Sequence, residues 1–232
     1  MFKVLFMSLL MVLTSTSVAF AGEVDFGRLS VVLSIQPEEV KARYPFRHPQ
    51  ETLEFFEVTP AMTVVEALPG QGWYSKILLT YLGSEGRLIG ADYSDGMYPL
   101  FGFFNEDQLA ERSQFVTRFP LQAEEWMGRD AGSVAAFKLG NLPVDMLGQA
   151  DVVLFIRALH NLARFEEDGG FLTAALKNAF DVLKPGGLVG VVQHEARADK
   201  SDEFADGTHG YLKKEFVIEV MEAAGFEFVA ES

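Results

Sequence analysis

Apolar residues recur along this chain with two periods, and the switching between them is its first structural signal. Met62–Ala67, Arg87–Asp92, Ser133–Leu139, Asp151–Ile156 and Leu188–Gln193 are short runs dominated by apolar residues, the pattern of strands buried on both faces. Between and after them the period becomes helical. Trp73–Leu82 links the first two runs. Leu172, Ala175, Leu176, Ala179, Phe180 and Leu183 share one face of a helix that LysProGlyGly at Lys184–Gly187 is expected to stop. A polar, acidic loop over His194–Gly210 leads to a helix with Phe216, Val217, Val220, Met221 and Ala224 on one face, and Phe226–Ala230 reads as a sixth strand. Asp95–Asp130 is rich in Phe and Met and predicts one or two helices with loops. Upstream, Gln36ProGluGluVal and His48ProGlnGluThrLeuGluPhePhe place proline and acids ahead of an apolar face, which predicts two short helices. Strands alternating with helices in one chain imply an α/β fold with a mostly parallel, doubly wound sheet and helices on both faces.

The first residues stand outside this pattern. Lys3, an apolar stretch from Val4 to Leu13, small polar residues at Thr14–Ser17, then Ala19, Phe20 and Ala21 before Gly22 follow the order of a secretory leader. The apolar run falls short of the roughly 20 residues of a spanning helix, which argues against a stable membrane anchor. Three parts follow: a signal peptide over 1–21, an N-terminal helical segment over 22–60 and an α/β domain over 61–232. Cleavage near Ala21 makes the expected location exported and periplasmic. The alternative is an uncleaved leader with the domain facing the cytoplasm.

Composition narrows the function. The 232 residues, 49% hydrophobic and 22% charged, suit one globular domain that needs no disulfide or metal to hold its core. The chain has no cysteine, which excludes thiol chemistry and cysteine-ligated zinc. A net charge of −14 repels phosphate backbones, so nucleic acid is not an expected partner.

Doubly wound sheets bind ligands at the carboxyl ends of their strands, near the point where strand order reverses. The first βα turn, ValValGluAlaLeuProGlyGlnGlyTrp (Val64–Trp73), carries Glu66 at the strand end and Gly70 and Gly72 in the turn. Glycines let a backbone approach a ligand closely, and the following helix presents unpaired amides. The next strand ends in Asp92, whose carboxylate can accept hydrogen bonds from two ribose hydroxyls. Leu68 stands where a dinucleotide fingerprint would have its first glycine, and Pro69 stiffens the turn. A carboxylate in the position of Glu66 repels pyrophosphate but suits an amine or a sulfonium, which favours an adenosyl amino acid over a nicotinamide dinucleotide.

That turn, Asp92, ValValLeuPheIleArgAlaLeuHisAsnLeu (Val152–Leu162) and LeuLysProGlyGlyLeu (Leu183–Leu188) together resemble class I S-adenosylmethionine-dependent methyltransferases. ArgHisProGlnGluThrLeuGluPhePhe (Arg47–Phe56), GlnHisGluAla (Gln193–Ala196) and GluAlaAlaGlyPhe (Glu222–Phe226) resemble, more closely, predicted bacterial methyltransferases that carry secretory leaders. The resemblance runs from Arg47 to Ser232. It implies a Rossmann-like methyltransferase fold with S-adenosylmethionine as cofactor and a small-molecule acceptor. It also implies that Glu66, Gly70 and Gly72 face the methionine part, Asp92 the ribose, and Gly140 with Asn141 the adenine, while Arg157–Asn161 line the place of transfer. The family sheet ends in a seventh, antiparallel strand between the fifth and sixth. This chain lacks a matching segment, so the expectation is that the sequence continues past Ser232 or that a partner chain, as in a homodimer, fills the gap.

For the chemistry, His160 is the candidate base because it follows a buried strand at the mouth of the site, and His194 bears the same relation to the next strand. The competing account of each is a polar side chain that satisfies loop backbone groups. Arg157 either orients an acidic acceptor or pairs with a local carboxylate. His48, beside Arg47, lies in a segment that by resemblance folds over the cofactor, or serves as a helix cap. His194, Glu195, Asp199, Asp202 and His209 match no metal-ligand spacing, so no metal is expected. The aromatic residues Tyr44, Phe46, Trp73, Tyr74, Tyr98, Phe101, Phe103 and Phe104 suggest an apolar or aromatic acceptor. A non-catalytic, exported binding protein for a nucleoside or an aromatic small molecule is the alternative function.

Overall fold

The computed structural model describes residues 26–127 and 132–232; the expected leader and its cleavage site lie outside them. Five strands build the main sheet: β1 (Thr63–Ala67), β2 (Arg87–Asp92), β3 (Ser133–Lys138), β4 (Ala150–Ile156) and β5 (Leu183–Val192). Their order is β3-β2-β1-β4-β5 and every pairing is parallel, so the order reverses between β1 and β4.

Successive side chains of a strand point to opposite faces, and both faces here are apolar. Val64, Leu88, Val152 and Leu154 face α1 (Phe26–Ser34), α5 (Trp73–Leu82) and α7 (Phe115–Met127), which contribute Leu29, Ile77, Leu78 and Phe119. Val65, Ile89, Phe137, Val153 and Phe155 face α8 (Leu159–Arg164) and, after the single turn α9 (Glu166–Gly169), α10 (Phe171–Val182), with Leu159, Leu172, Ala175 and Leu176. Two covered faces leave the sheet's edges, and above all its carboxyl end, as the places for polar chemistry.

Several boundaries differ from the sequence expectation. Four short helices precede β1: α1, α2 (Glu38–Lys41), α3 (Tyr44–Arg47) and α4 (Pro49–Phe55), where two were expected. Leu29, Val32 and Leu33 supply the buried stripe of α1, and Pro37, Pro45 and Pro49 each open one of the next three helices, where a missing N–H costs nothing. In Asp95–Asp130 a 3-10 turn at Tyr98–Phe101 precedes α6 (Glu106–Ser113) and α7. LysProGlyGly stops α10 as expected but belongs to β5, which begins at Leu183. The register jumps from Ala150↔Leu183 to Val152↔Leu188, and the intervening residues bulge out. Asp151 anchors this bulge by accepting from Lys184 Nζ at 2.6 Å, and its other oxygen accepts from the amide of Thr63 at 2.8 Å.

The expected sixth strand is not formed. Phe226–Ala230 follows α11 (Lys214–Ala223) without strand pairing, and Phe226 instead packs on Phe180 of α10, ring centroids 5.6 Å apart. Among the described residues no antiparallel strand lines the outer edge of β5, so this segment has no backbone partner to join. The acidic loop is also more ordered than expected, because β6 (His194–Glu195) pairs with β7 (Tyr211–Leu212) across it. No helix among the described residues is long and apolar enough to cross a membrane.

The sheet centre should dominate stability. Phe155→Ala, at a position 1% exposed, should lower the unfolding free energy in urea by about 3–5 kcal/mol. Phe103→Ala, at a ring 68% exposed, should change it by under about 0.5 kcal/mol. Equal effects would contradict the burial pattern.

Candidate functional site

Parallel register brings the ends of all five strands to one edge. Glu66 is the penultimate residue of β1, and beyond it the chain enters a turn of left-handed residues: Leu68 (φ 55°), Gly70 (φ 59°) and Gly72 (φ 73°). For leucine that conformation costs about 1–2 kcal/mol, and the bond from Leu68 N to Ala91 O, 2.7 Å, helps hold it. Leu68 thus reproduces the backbone shape that a glycine would give. Gly72 is glycine for a second reason, since a Cβ there would overlap the Trp126 ring of α7. That side of the turn is filled by a helix, whereas Gly70 is exposed and a Cβ there would meet only Leu68 O, at 3.9 Å.

Glu66 is 4% exposed and accepts a hydrogen bond from Ser75 Oγ of α5 at 2.6 Å. Burial pushes its carboxyl up to about 7, against the opposing pull of Ser75 and of the Arg47 charge. Arg47 comes from α3, which folds across this end of the sheet. Its guanidinium lies over the Trp73 ring at 4.8 Å, its carbonyl accepts from Tyr74 Oη at 2.9 Å, and its Nε is buried without a hydrogen-bond partner. Burial and the neighbouring Arg43 and Arg157 charges lower its pKa. Sequence reading assigns Arg47 no role, because local spacing cannot show that residue 47 meets residue 66.

Asp92 ends β2, 6% exposed. Tyr98 Oη donates to its Oδ2 at 2.5 Å, and Lys138 Nζ approaches the same oxygen at 3.4 Å. Lys138 is the register partner of Asp92 on β3, pairs also with Asp95 at 3.2 Å and donates to Arg112 O at 2.8 Å. Burial and the nearby Asp92 raise the Tyr98 pKa, so the phenol keeps its proton and acts as donor. Both contacts fall on Oδ2; among the described residues none falls on Oδ1. Lys138 was legible only as an odd cation inside the apolar run Val134–Leu139. Gly140 and Asn141 lie just beyond it, both exposed, with their amides engaged locally: Gly140 N donates to Asn178 Oδ1 at 2.7 Å and Asn141 N to Lys138 O at 2.9 Å.

On the other side of β1, Arg157 follows β4 with φ 57° and donates its amide to Val192 O at 2.6 Å. Its guanidinium Nη2 contacts His194 Nε2, and of the two roles open to it, pairing with a carboxylate is not made with any of the described residues. His160 lies in the first turn of α8, half-buried, with Nδ1 3.3 Å from Gln193 Oε1. Gln193 Nε2 donates to the carbonyls of Gly210 (2.8 Å) and His194 (3.3 Å), which fixes the amide orientation. The oxygen therefore faces His160, Nδ1 carries the hydrogen, and Nε2 keeps its lone pair. Burial, with His194 and Arg157 nearby, lowers the His160 pKa and holds the ring neutral near pH 7. Asn161 donates to Tyr93 Oη at 2.7 Å. His48 lies apart, exposed between α3 and α4; its side chain makes no cap hydrogen bond and pairs with Glu51 at 3.5 Å. Among the described residues no three His, Asp or Glu side chains are grouped to hold a metal ion.

Neither a protein-family model nor a curated protein matches the sequence. Solved structures do match. An S-adenosylmethionine-dependent methyltransferase from Aquifex aeolicus aligns over 82% of this chain and 88% of its own, with 18% identity and a TM-score of 0.50. A candidate methyltransferase from Haloferax volcanii, in complex with a methyltransferase activator, aligns over 88% and 77% with 17% identity and the same TM-score. At these identities the likeness concerns architecture: the chain has the Rossmann-like α/β fold of methyltransferases, with its sheet in the order 3-2-1-4-5.

Glu66 makes stability depend on pH in a definite direction. Its folded pKa, about 7, lies above the ordinary value of 4.5, so between the two the folded state holds the extra proton. Stability is then full below about pH 4.5 and declines as pH rises through 7, by on the order of 3 kcal/mol. Urea unfolding at pH 5, 6, 7 and 8 should show this decline for the wild type and a flatter profile for Glu66→Gln. Parallel profiles would show that Glu66 is not the buried titrating acid.

Proposed function

We propose that this protein transfers a methyl group from S-adenosylmethionine to a small-molecule acceptor. The observation that carries the reading is the pair of buried carboxylates, Glu66 and Asp92, ending adjacent parallel strands around an open glycine turn, with the unpartnered Arg47 Nε beside the first. The donor set suits an adenosyl amino acid. Glu66 would hold the ammonium, Arg47 the carboxylate and Asp92 Oδ1 the ribose hydroxyls, while Gly70 leaves room for close approach.

When bound, S-adenosylmethionine supplies an electrophilic methyl carbon on a sulfonium whose leaving group is a neutral thioether. The chain's own residues do the rest. Tyr98 and Lys138 hold Asp92 by one oxygen and so orient the other. Glu66 gives up its proton on meeting a cation, which couples binding to pH. His160 Nε2 accepts the proton that an acceptor hydroxyl or amine gives up, and the ring becomes an imidazolium whose Nδ1–H is steadied by Gln193. Export belongs to the same proposal: the leader-like order of Lys3, the apolar run and the small residues before Gly22 supports a periplasmic enzyme.

Calorimetric titration with S-adenosylmethionine should show micromolar binding that tightens from pH 6 to pH 8, a trend that Glu66→Gln should flatten. Asp92→Asn, which keeps the side-chain shape, should weaken binding by about 10–100-fold. His160→Ala should leave binding intact and lower turnover about 10²–10⁴-fold. A well-folded protein that binds no S-adenosylmethionine would overturn the proposal and favour a non-catalytic binding protein. Fractionation of expressing bacterial cells should place a shortened chain in the periplasm; a full-length chain in the cytoplasm would overturn the export reading.

A further inference from the structure

We propose that Arg157, seated by His194, is an anion subsite, and that the acceptor is a small aromatic carboxylate whose negative group it holds; this rests on the methyl-transfer reading above. Arg157 is a non-glycine residue held at φ 57°, a strained backbone conformation of the kind concentrated at functional sites. The bond from its amide to Val192 O, 2.6 Å, fixes that conformation against β5. The side chain then turns to His194, two residues past the end of that strand, where β6 begins.

Burial and the Arg157 charge lower the His194 pKa, which favours the neutral ring, whose Nε2 can accept one of the five guanidinium N–H groups. Among the described residues no carboxylate lies within ion-pair distance of Arg157, and none contributes to the charges that act on His160 or His194. Arg47 adds a second guanidinium close enough for Arg157 to depress its pKa. An exposed guanidinium with a planar fork left free matches a carboxylate in two parallel hydrogen bonds.

The neighbouring surface indicates the rest of the acceptor. Asn161, next to His160, binds Tyr93, whose ring meets Phe101 at 5.4 Å; Phe101 in turn meets Phe165 at 5.0 Å. The flat body of the acceptor would take Tyr93 and Phe101, both partly buried and linked to α8 through Asn161, as its aromatic contact.

Benzoate and benzamide, alike in shape and different in charge, are the probes. Titrated into the isotopically labelled full chain and followed by NMR, benzoate should bind at least about tenfold more tightly than benzamide. Arg157→Asn, a residue that tolerates the left-handed backbone, should abolish that preference, and Arg157→Lys should keep part of it. Equal affinity for the two probes, no benzoate binding at 10 mM (roughly the weakest affinity that such a contact could give), or a preference that survives Arg157→Asn with an unchanged unfolding midpoint would each overturn the proposal. S-adenosylhomocysteine titrated in parallel separates the two readings. Benzoate selectivity without S-adenosylhomocysteine binding would sustain the anion subsite and sink methyl transfer, and the reverse pattern would do the opposite.

Discussion

Glu66 and Asp92 lie on paired parallel strands, in the register Glu66↔Gly90 and Ala67↔Ala91, and that register places both carboxylates at the same edge of the sheet. Everything else at the site follows from it. The turn after Glu66 has to rise out of the sheet within a few residues to start α5, which forces the left-handed conformations of Leu68, Gly70 and Gly72. The reversal of strand order falls between β1 and β4, and Arg157 and His160 follow the end of β4. On the far side the same parallel register sets Lys138 opposite Asp92.

Charge is distributed with the same logic. A strongly acidic chain buries two carboxylates at one place, and each is stabilised differently. Asp92 is met by a protonated phenol and by Lys138 Nζ, in a network that joins the ends of β2 and β3. Among the described residues Glu66 is met by Ser75 and the Arg47 charge, and burial outweighs both and shifts it towards the neutral form. A buried acid poised near neutrality is sensitive to the arrival of a cation, and that sensitivity is what a ligand bearing an ammonium can use. On the β4–β5 side a guanidinium meets two imidazoles whose pKa values are lowered, and among the described residues no carboxylate pairs with the guanidinium.

Sequence pattern revealed the elements that depend on local periodicity. Trp73–Leu82 and Arg87–Asp92 have the same limits in the structure as in the apolar pattern, because apolar spacing and the flanking glycines define them. Glu66 and Asp92 were legible for the same reason, as polar residues closing apolar runs. Arg47, Lys138 and the link from Arg157 to His194 were not, since each joins residues distant in sequence through the folding of α3, the β2–β3 register or the β4–β5 register. The fate of Phe226–Ala230 was misjudged because its alternation fits a strand, yet a strand also needs a neighbouring backbone, which periodicity cannot supply. Leu68 shows the opposite case: its side chain broke the glycine pattern while its backbone kept the shape.

The central claim is that the β1 turn and the strand ends around it hold an adenosyl amino acid. A crystal structure of the protein grown with S-adenosylhomocysteine tests it most directly. The account predicts the ribose on Asp92, the amino-acid ammonium on Glu66 and its carboxylate on Arg47, with the sulfur towards His160. Density for the ligand elsewhere on the molecule, or an adenosyl group bound without contact to Asp92, would contradict it.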